Sequence, residues 1–289
     1  MRNLKAFLKS VVFNSGFLRN FFILFYQWRG RKPWSAGYSV YKLTYIRDVI
    51  EDRLDMFKKE KLPDSYGAHL DERTVEYPWF FSRLKNDEIT ILDAGSTLNH
   101  SDILKLRTLK NRKIYISTLA CEGFQDLESH TPSYVFEDLR NLCYREDFFD
   151  AVISISTLEH VGMDNTFLYT CDDQKKENDK DAYLNVIREF KRVLKKGGTL
   201  YITLPYGLYR NRGWLQIFDG EMLLKLISEF SPKDISKTFF KYENHQWNYS
   251  KEDACQEGYL FDIHQDHPDD NKEGLASAQC VVCLEMIKA

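Results

Sequence analysis

This 289-residue sequence predicts an α/β fold built on a parallel sheet, and three observations carry that reading. Short apolar runs recur along the chain, near-continuous rather than alternating, as in strands buried on both faces. The stretch from Glu137 to Pro205 reads as acidic loop, buried strand, polar turn, amphipathic helix, glycine stop and buried strand. That is one full unit of such a sheet. Polar residues stand just after each strand, where open α/β sheets bind ligands.

Taken in order, residues 1–75 read as a basic, helical N-terminal extension and residues 76–289 as the sheet domain. Asp71-Glu72-Arg73-Thr74-Val75-Glu76 leads into Tyr77-Pro78-Trp79-Phe80-Phe81. Acids near the start and aromatics at close to helical spacing predict a helix packed just before the sheet. Strands are expected at 89–92, 113–117, 133–136, 151–155 and 199–204, the last closed by Pro205. Ala182 to Lys196 predicts a helix, with Tyr183, Ile187, Phe190 and Leu194 on one face. Lys195 and Lys196 are expected in its last turn, where they suit the dipole, and Gly197-Gly198 stop it. Two more strands, 237–242 and 278–287, flank a polar insertion at 243–275 that carries His245, Trp247, His264 and His267.

Apolar residues make up 43% of the chain, enough for a sizeable core, and the net charge of −3 argues against a dedicated nucleic-acid binder. Local charge is uneven. The first 47 residues hold nine bases, from Arg2 to Arg47, and no Asp or Glu. Among the bases lie Phe21-Phe22-Ile23-Leu24-Phe25-Tyr26 and Trp28. Arg19 and Asn20 interrupt the apolar run, so it is too short to span a bilayer, and no small-residue cleavage site marks a signal peptide. Two readings stand for this segment: a helical lid packed on the sheet domain, or a peripheral contact with an anionic membrane face. Six cysteines are too sparse for a disulfide framework. The lone CxxC of Cys280 and Cys283 lacks the further ligands that zinc needs. Reduced thiols in a cytoplasmic protein, and no metal site, are the expectation. The His- and Asp-dense run 264–270 reads as a solvated acidic loop.

Residues 88–207 resemble a class I S-adenosyl-L-methionine (SAM)-dependent methyltransferase. The likeness rests on ILDAGSTLNH at 91–100, EDLRNL at 137–142, FDAVISISTLEHV at 149–161 and RVLKKGGTLYITLP at 192–205. It implies a Rossmann-like sheet, mostly parallel, with the last strand antiparallel. It also implies that the cofactor sits over the carboxyl ends of the first, second and fourth strands. By this resemblance Asp93, Gly95 and Ser96 form the first loop at the cofactor, with Thr97 and Asn99 where further glycines are usual. Thr118 stands where the family has a ribose-binding acid, with Glu122 four residues on. Asp138 is expected to accept from the adenine amino group, and the backbone of Leu139 to meet a ring nitrogen. Ser156 and Glu159 belong to the loop that borders cofactor and acceptor, Glu159 holding the SAM amino group or orienting its neighbour. His160 is the candidate general base, its ordinary pKa lying near neutrality. The alternative is a Glu-His pair that only caps the next helix.

The resemblance thus implies methyl transfer from SAM to a small-molecule acceptor. DERTVEYPW and GWLQIFDGEML are similar to stretches of uncharacterised methyltransferases from surface-polysaccharide pathways, which implies a sugar or glycolipid hydroxyl. Tyr206, Tyr209, Trp214, Phe218 and Trp247 suit sugar stacking, and equally a plain core. The rival reading is a degenerate, non-catalytic fold that binds a partner. An oxidoreductase is disfavoured, because no GxGxxG follows the first strand.

Overall fold

The computed structural model describes residues 16–120, 132–170, 172–271 and 273–289. Its eight main strands are β1 (Thr90–Ala94), β2 (Lys113–Thr118), β3 (Ser133–Phe136), β4 (Phe149–Ile155), β5 (Leu194–Pro205), β6 (Asp234–Glu243), β7 (Gln246–Ser250) and β8 (Cys280–Ile287). They form one sheet in the order β3-β2-β1-β4-β5-β8-β6-β7. The pairs from β3 through β5 are parallel. The last strand, β8, runs antiparallel between β5 and β6, and β7 adds an antiparallel edge. This is the Rossmann-like class I methyltransferase sheet.

Both faces of the sheet are covered, which explains the near-continuous apolar runs. Ile91, Ile153, Tyr201 and Phe240 face one side, where α2 (Tyr38–Asp52) and α3 (Arg73–Arg83) supply Ile46, Val49, Val75 and Phe80. Their neighbours Leu92, Val152, Leu200 and Phe239 face the other, against Tyr183, Ile187 and Phe190 of α4 (Tyr183–Val193) and Leu226 of α5 (Gly220–Phe230). Successive strand residues point to opposite faces, so both must be apolar. An apolar cluster runs unbroken from Ile46 through Val75 to the sheet, across the boundary expected at residue 75. Outside α2 lies α1 (Gly16–Trp28), the first described helix.

Two sequence expectations are corrected. The helix expected to reach Lys196 ends at Val193, and Leu194 turns extended to open β5 opposite Phe149. Leu194 is fully buried there, so its apolar character served the sheet and not a fourth helical turn. Lys195 leaves the expected helix end and pairs with Asp150 at 2.6 Å. The insertion 243–275 is not wholly polar loop: β7 lies in it, and Trp247 is buried with its indole N–H donated to the Leu70 carbonyl at 3.0 Å.

The helix α3 carries an internal proline, Pro78, which lacks an N–H for the carbonyl of Thr74. The Tyr66 hydroxyl donates to that carbonyl instead, at 2.6 Å. One turn inside, fully buried Glu76 accepts from Arg73 (2.5 Å), Ser156 (2.6 Å) and Thr203 (2.7 Å). It therefore ties α3 to the loop after β4 and to β5. Glu76→Ala leaves the partly buried Arg73 guanidinium and two buried hydroxyls without their acceptor. Unfolding in denaturant should show a loss of about 3–5 kcal/mol; a loss under about 1 kcal/mol would mean that water replaces the carboxylate.

Candidate functional site

The carboxyl ends of β1, β2 and β4 surround a cavity of about 820 Å³. Gly95, Ser96, Thr118, Asp138, Leu139, Ser156 and His160 all line it. After β1 the chain turns sharply. Gly95 has φ +116°, and a Cβ there would stand 2.2 Å from the Thr157 hydroxyl, so only glycine fits. Ser96 follows in the left-handed region at φ 62°, and its hydroxyl accepts from Asn99 at 3.0 Å. Asp93, expected at the cofactor, does not line the cavity. It is fully buried and accepts from Thr97 N and Oγ1 at 3.0 Å and from Leu98 N at 2.8 Å. Burial pushes its carboxyl up to about 6 against the pull of those donors. Asp93 braces the loop from beneath.

Asp138 follows β3 at the cavity wall, but it is not a lone acceptor. Arg140 grips it through Nε at 3.0 Å and Nη2 at 2.6 Å, and reaches on to both oxygens of Glu177 at 2.8 Å. Burial opposes ionisation of Asp138, yet the Arg140 hydrogen bonds outweigh it and hold the carboxyl below its ordinary range. The same Arg140–Glu177 pair ties residues 174–177, which also line the cavity, to its rim. Glu122, Cys121 and Cys171 lie outside the described residues.

A second cavity, of about 320 Å³, opens beside the first. Among the described residues, Arg73 and His160 line both. The smaller cavity is walled by Trp34, Trp214 and Phe261, and by the acids Asp71, Glu72, Glu159 and Asp262. Here the structure parts from the expected roles of the Glu-His pair. Glu159 lines this smaller cavity and not the cofactor-sized one. Its Oε2 is buried without a hydrogen-bond partner. Burial pushes the Glu159 carboxyl up to about 8, despite nearby Arg73, and pushes Glu72 up to about 7. Half-buried His160 sets Nδ1 3.0 Å from the Trp214 carbonyl, which only accepts, so Nδ1 carries the proton and Nε2 is left as the acceptor. Burial, helped by the charge of Arg73, lowers its pKa to about 4.

The run 264–270 is also more than a solvated loop. Asp266 binds Arg212 at 2.5 Å and the Asp262 amide at 2.8 Å, while Asp262 accepts from the Trp214 indole at 2.8 Å. That network sets the far wall of the smaller cavity, where His264 also stands. Of the expected stacking aromatics, Trp214 lines the cavity, whereas Tyr206, Phe218 and Trp247 are core. Among the described residues no cluster of three or more His, Cys, Asp or Glu is placed to hold a metal ion. Cys255, Cys280 and Cys283 are free and buried. Sequence reading missed Arg73, Tyr77 and Trp34, which lie before the recognisable motifs. The spacing of Arg73, Glu76 and Tyr77 on one helix was the available signal.

A methyltransferase domain model matches residues 114–202, from β2 through most of β5. No curated protein matches the chain. Solved structures overlap it loosely. A chain solved in the complex of the Haloferax volcanii Trm112 methyltransferase activator is 12% identical, with a TM-score of 0.45, over 84% of this chain and 98% of that one. A possible histamine N-methyltransferase from Thermotoga maritima is 12% identical, with a TM-score of 0.45, over 85% and 99%. A Burkholderia thailandensis N1-methyltransferase, solved with 1,6-didemethyltoxoflavin and S-adenosylhomocysteine, is 14% identical, with a TM-score of 0.40, over 70% and 72%. Overlaps this loose carry no argument about the acceptor. The strand order and the domain match support a class I methyltransferase with SAM as cofactor.

The buried carboxyl of Glu159 makes stability depend on pH. An unfolded glutamate is ionised well below pH 6.5, while the folded Glu159 keeps its proton up to about 8. The folded state therefore binds more protons, and stability falls as pH rises toward 8. His160, with its folded pKa at about 4, acts in the opposite direction while an unfolded histidine is still partly protonated, just above pH 6.5, and it does so equally in the native chain and in a Glu159 variant. Melting temperatures of Glu159→Gln should fall less steeply than those of the native chain between pH 6.5 and 8. Parallel slopes would show that Glu159 is ionised in the folded protein.

Proposed function

We propose that this protein transfers a methyl group from SAM to a hydroxyl of a sugar-bearing small molecule seated in the smaller cavity. The observation that carries the reading is the pair of cavities joined at Arg73 and His160. A cavity of about 820 Å³ lies within the usual range for small-molecule sites and suits a nucleoside cofactor. Gly95 and Ser96, Thr118, Asp138, Leu139 and Ser156 are the residues that would hold SAM. When bound, SAM supplies a methyl group made electrophilic by its sulfonium.

The chain supplies position and proton transfer. Trp34 and Trp214 offer flat apolar faces to the C–H face of a sugar, and the wall acids accept from its hydroxyls. His160 reaches both cavities and keeps Nε2 as an acceptor, which suits it to take the proton of the attacking hydroxyl. Its low basicity makes the step depend on alignment, with nucleophile and methyl group held in line. Glu159 moves from the cofactor to the acceptor in this reading, because it lines only the smaller cavity.

Calorimetric titration with SAM is the first test. Asp138→Ala should weaken binding by roughly 1–3 kcal/mol, or about 5- to 150-fold. Unchanged affinity would remove Asp138 from the site, and no SAM binding by the native chain would leave a partner-binding module.

With an acceptor in hand, His160→Ala should lower turnover roughly 10²–10⁴-fold and leave SAM affinity alone. Glu159→Gln should raise the KM for the acceptor with the SAM Kd unmoved. A Glu159→Gln variant that loses SAM affinity first would return Glu159 to the cofactor.

A further inference from the structure

We infer that α1 is a surface anchor whose outer face lies on an anionic lipid bilayer. Phe17, Phe21, Leu24 and Trp28 follow the spacing i, i+4, i+7, i+11 and form one stripe. They are 81%, 55%, 65% and 82% exposed, far above what a core face shows. The opposite face is already engaged. Tyr26 is fully buried with its ring 5.9 Å from Tyr38 and 5.2 Å from Tyr41, and Arg19 pairs with Asp102 at 2.9 Å. The helix is therefore fixed to α2 from within, and its stripe points outward with nothing over it among the described residues.

Charge selects the occupant. Exposed Arg29 and Lys32 follow the helix directly, Arg31 stands between them, and no acid occurs before Asp48. Arg2, Lys5 and Lys9 add bases by sequence. A second copy of this face would set like charges against each other, whereas anionic headgroups neutralise them. Thirteen residues cover about 20 Å, too short to span but suited to lie in the interface. Among the described residues no helix is long and apolar enough to cross a membrane. The anchor also places the smaller cavity. Trp34 comes six positions after Trp28, at most about 22 Å of chain. Trp34 is part of the cavity wall, pinned by its indole N–H to the Ala276 carbonyl at 2.6 Å. The wall thus lies within reach of an acceptor carried by a lipid, a corollary that rests on the proposed function as the anchor itself does not.

The test is flotation of the full chain with phosphatidylcholine vesicles, alone or with about one third phosphatidylglycerol. The native chain should float with the anionic vesicles and at least roughly tenfold less with neutral ones, and added salt should weaken it. The combined Phe17→Ser, Leu24→Ser and Trp28→Ser variant should lose flotation while keeping its melting temperature and SAM affinity, since these side chains touch neither cavity. Arg29→Gln with Lys32→Gln should weaken flotation roughly tenfold at low salt. A native chain that floats with neither vesicle overturns the inference. Sedimentation velocity then decides whether a second copy covers the stripe: a dimer says that it does, a monomer that it does not. Failure of SAM binding would strike the enzymatic reading and leave the anchor standing.

Discussion

The carboxyl edge of the sheet depends on one buried carboxylate. Glu76 reaches from α3 to the loop after β4 and to β5, and accepts from Arg73, Ser156 and Thr203. A fully buried charge persists only where donors surround it, so its position fixes theirs. Ser156 sits at φ 39°, a backbone that a non-glycine residue holds only under constraint. Its amide to the Thr203 carbonyl and its hydroxyl to Glu76 are that constraint. Arg73, held by the same carboxylate, stands between the two cavities. The helix before the sheet thereby becomes part of the site without belonging to the strand-end motifs.

The smaller cavity gathers four buried acids, Asp71, Glu72, Glu159 and Asp262. Asp71 is satisfied by Tyr38 at 2.9 Å and Lys42 at 2.5 Å, and Asp262 by Trp214 and the His264 amide at 2.8 Å. Glu72 accepts from the Ala278 amide at 3.2 Å. Glu159 differs in leaving an oxygen unpartnered. An unmade hydrogen bond in a buried place costs roughly 1–3 kcal/mol. A bound hydroxyl that hydrogen-bonds to this protonated carboxyl would recover it, which is how such a cost turns into acceptor selectivity. His160 beside it stays neutral through the physiological range, because burial and Arg73 both oppose its protonation.

Strands were legible in the sequence because a sheet covered on both faces needs long apolar runs, and these stand out at 113–117, 151–155 and 199–204. The glycine after β1 and the Asp after β3 were legible as motif positions. Other features depended on distant partners. Asp93 looks like a ligand-facing acid by position, but the loop it braces engages both its oxygens. Leu194 continues a helical pattern, yet pairing with Phe149 draws it into β5. Trp247 lies in a polar stretch, yet it is buried in the apolar cluster with its indole held by the Leu70 carbonyl, 177 positions away in the chain.

By itself the sequence determined the parallel α/β sheet and the basic and aromatic start of the chain, while the antiparallel last strand and the loops at the cofactor were what its resemblance to a family implied. Periodicity and strand-end chemistry are local, and they survive in a one-dimensional reading. Only the tertiary structure decided which of Glu159 and His160 faces which cavity, because neighbouring residues on a tight turn diverge by an angle that no spacing encodes. It also decided that Arg73 and Trp34 line the site and that Glu76 braces it, because hydrogen bonds join residues 80 and 242 positions apart.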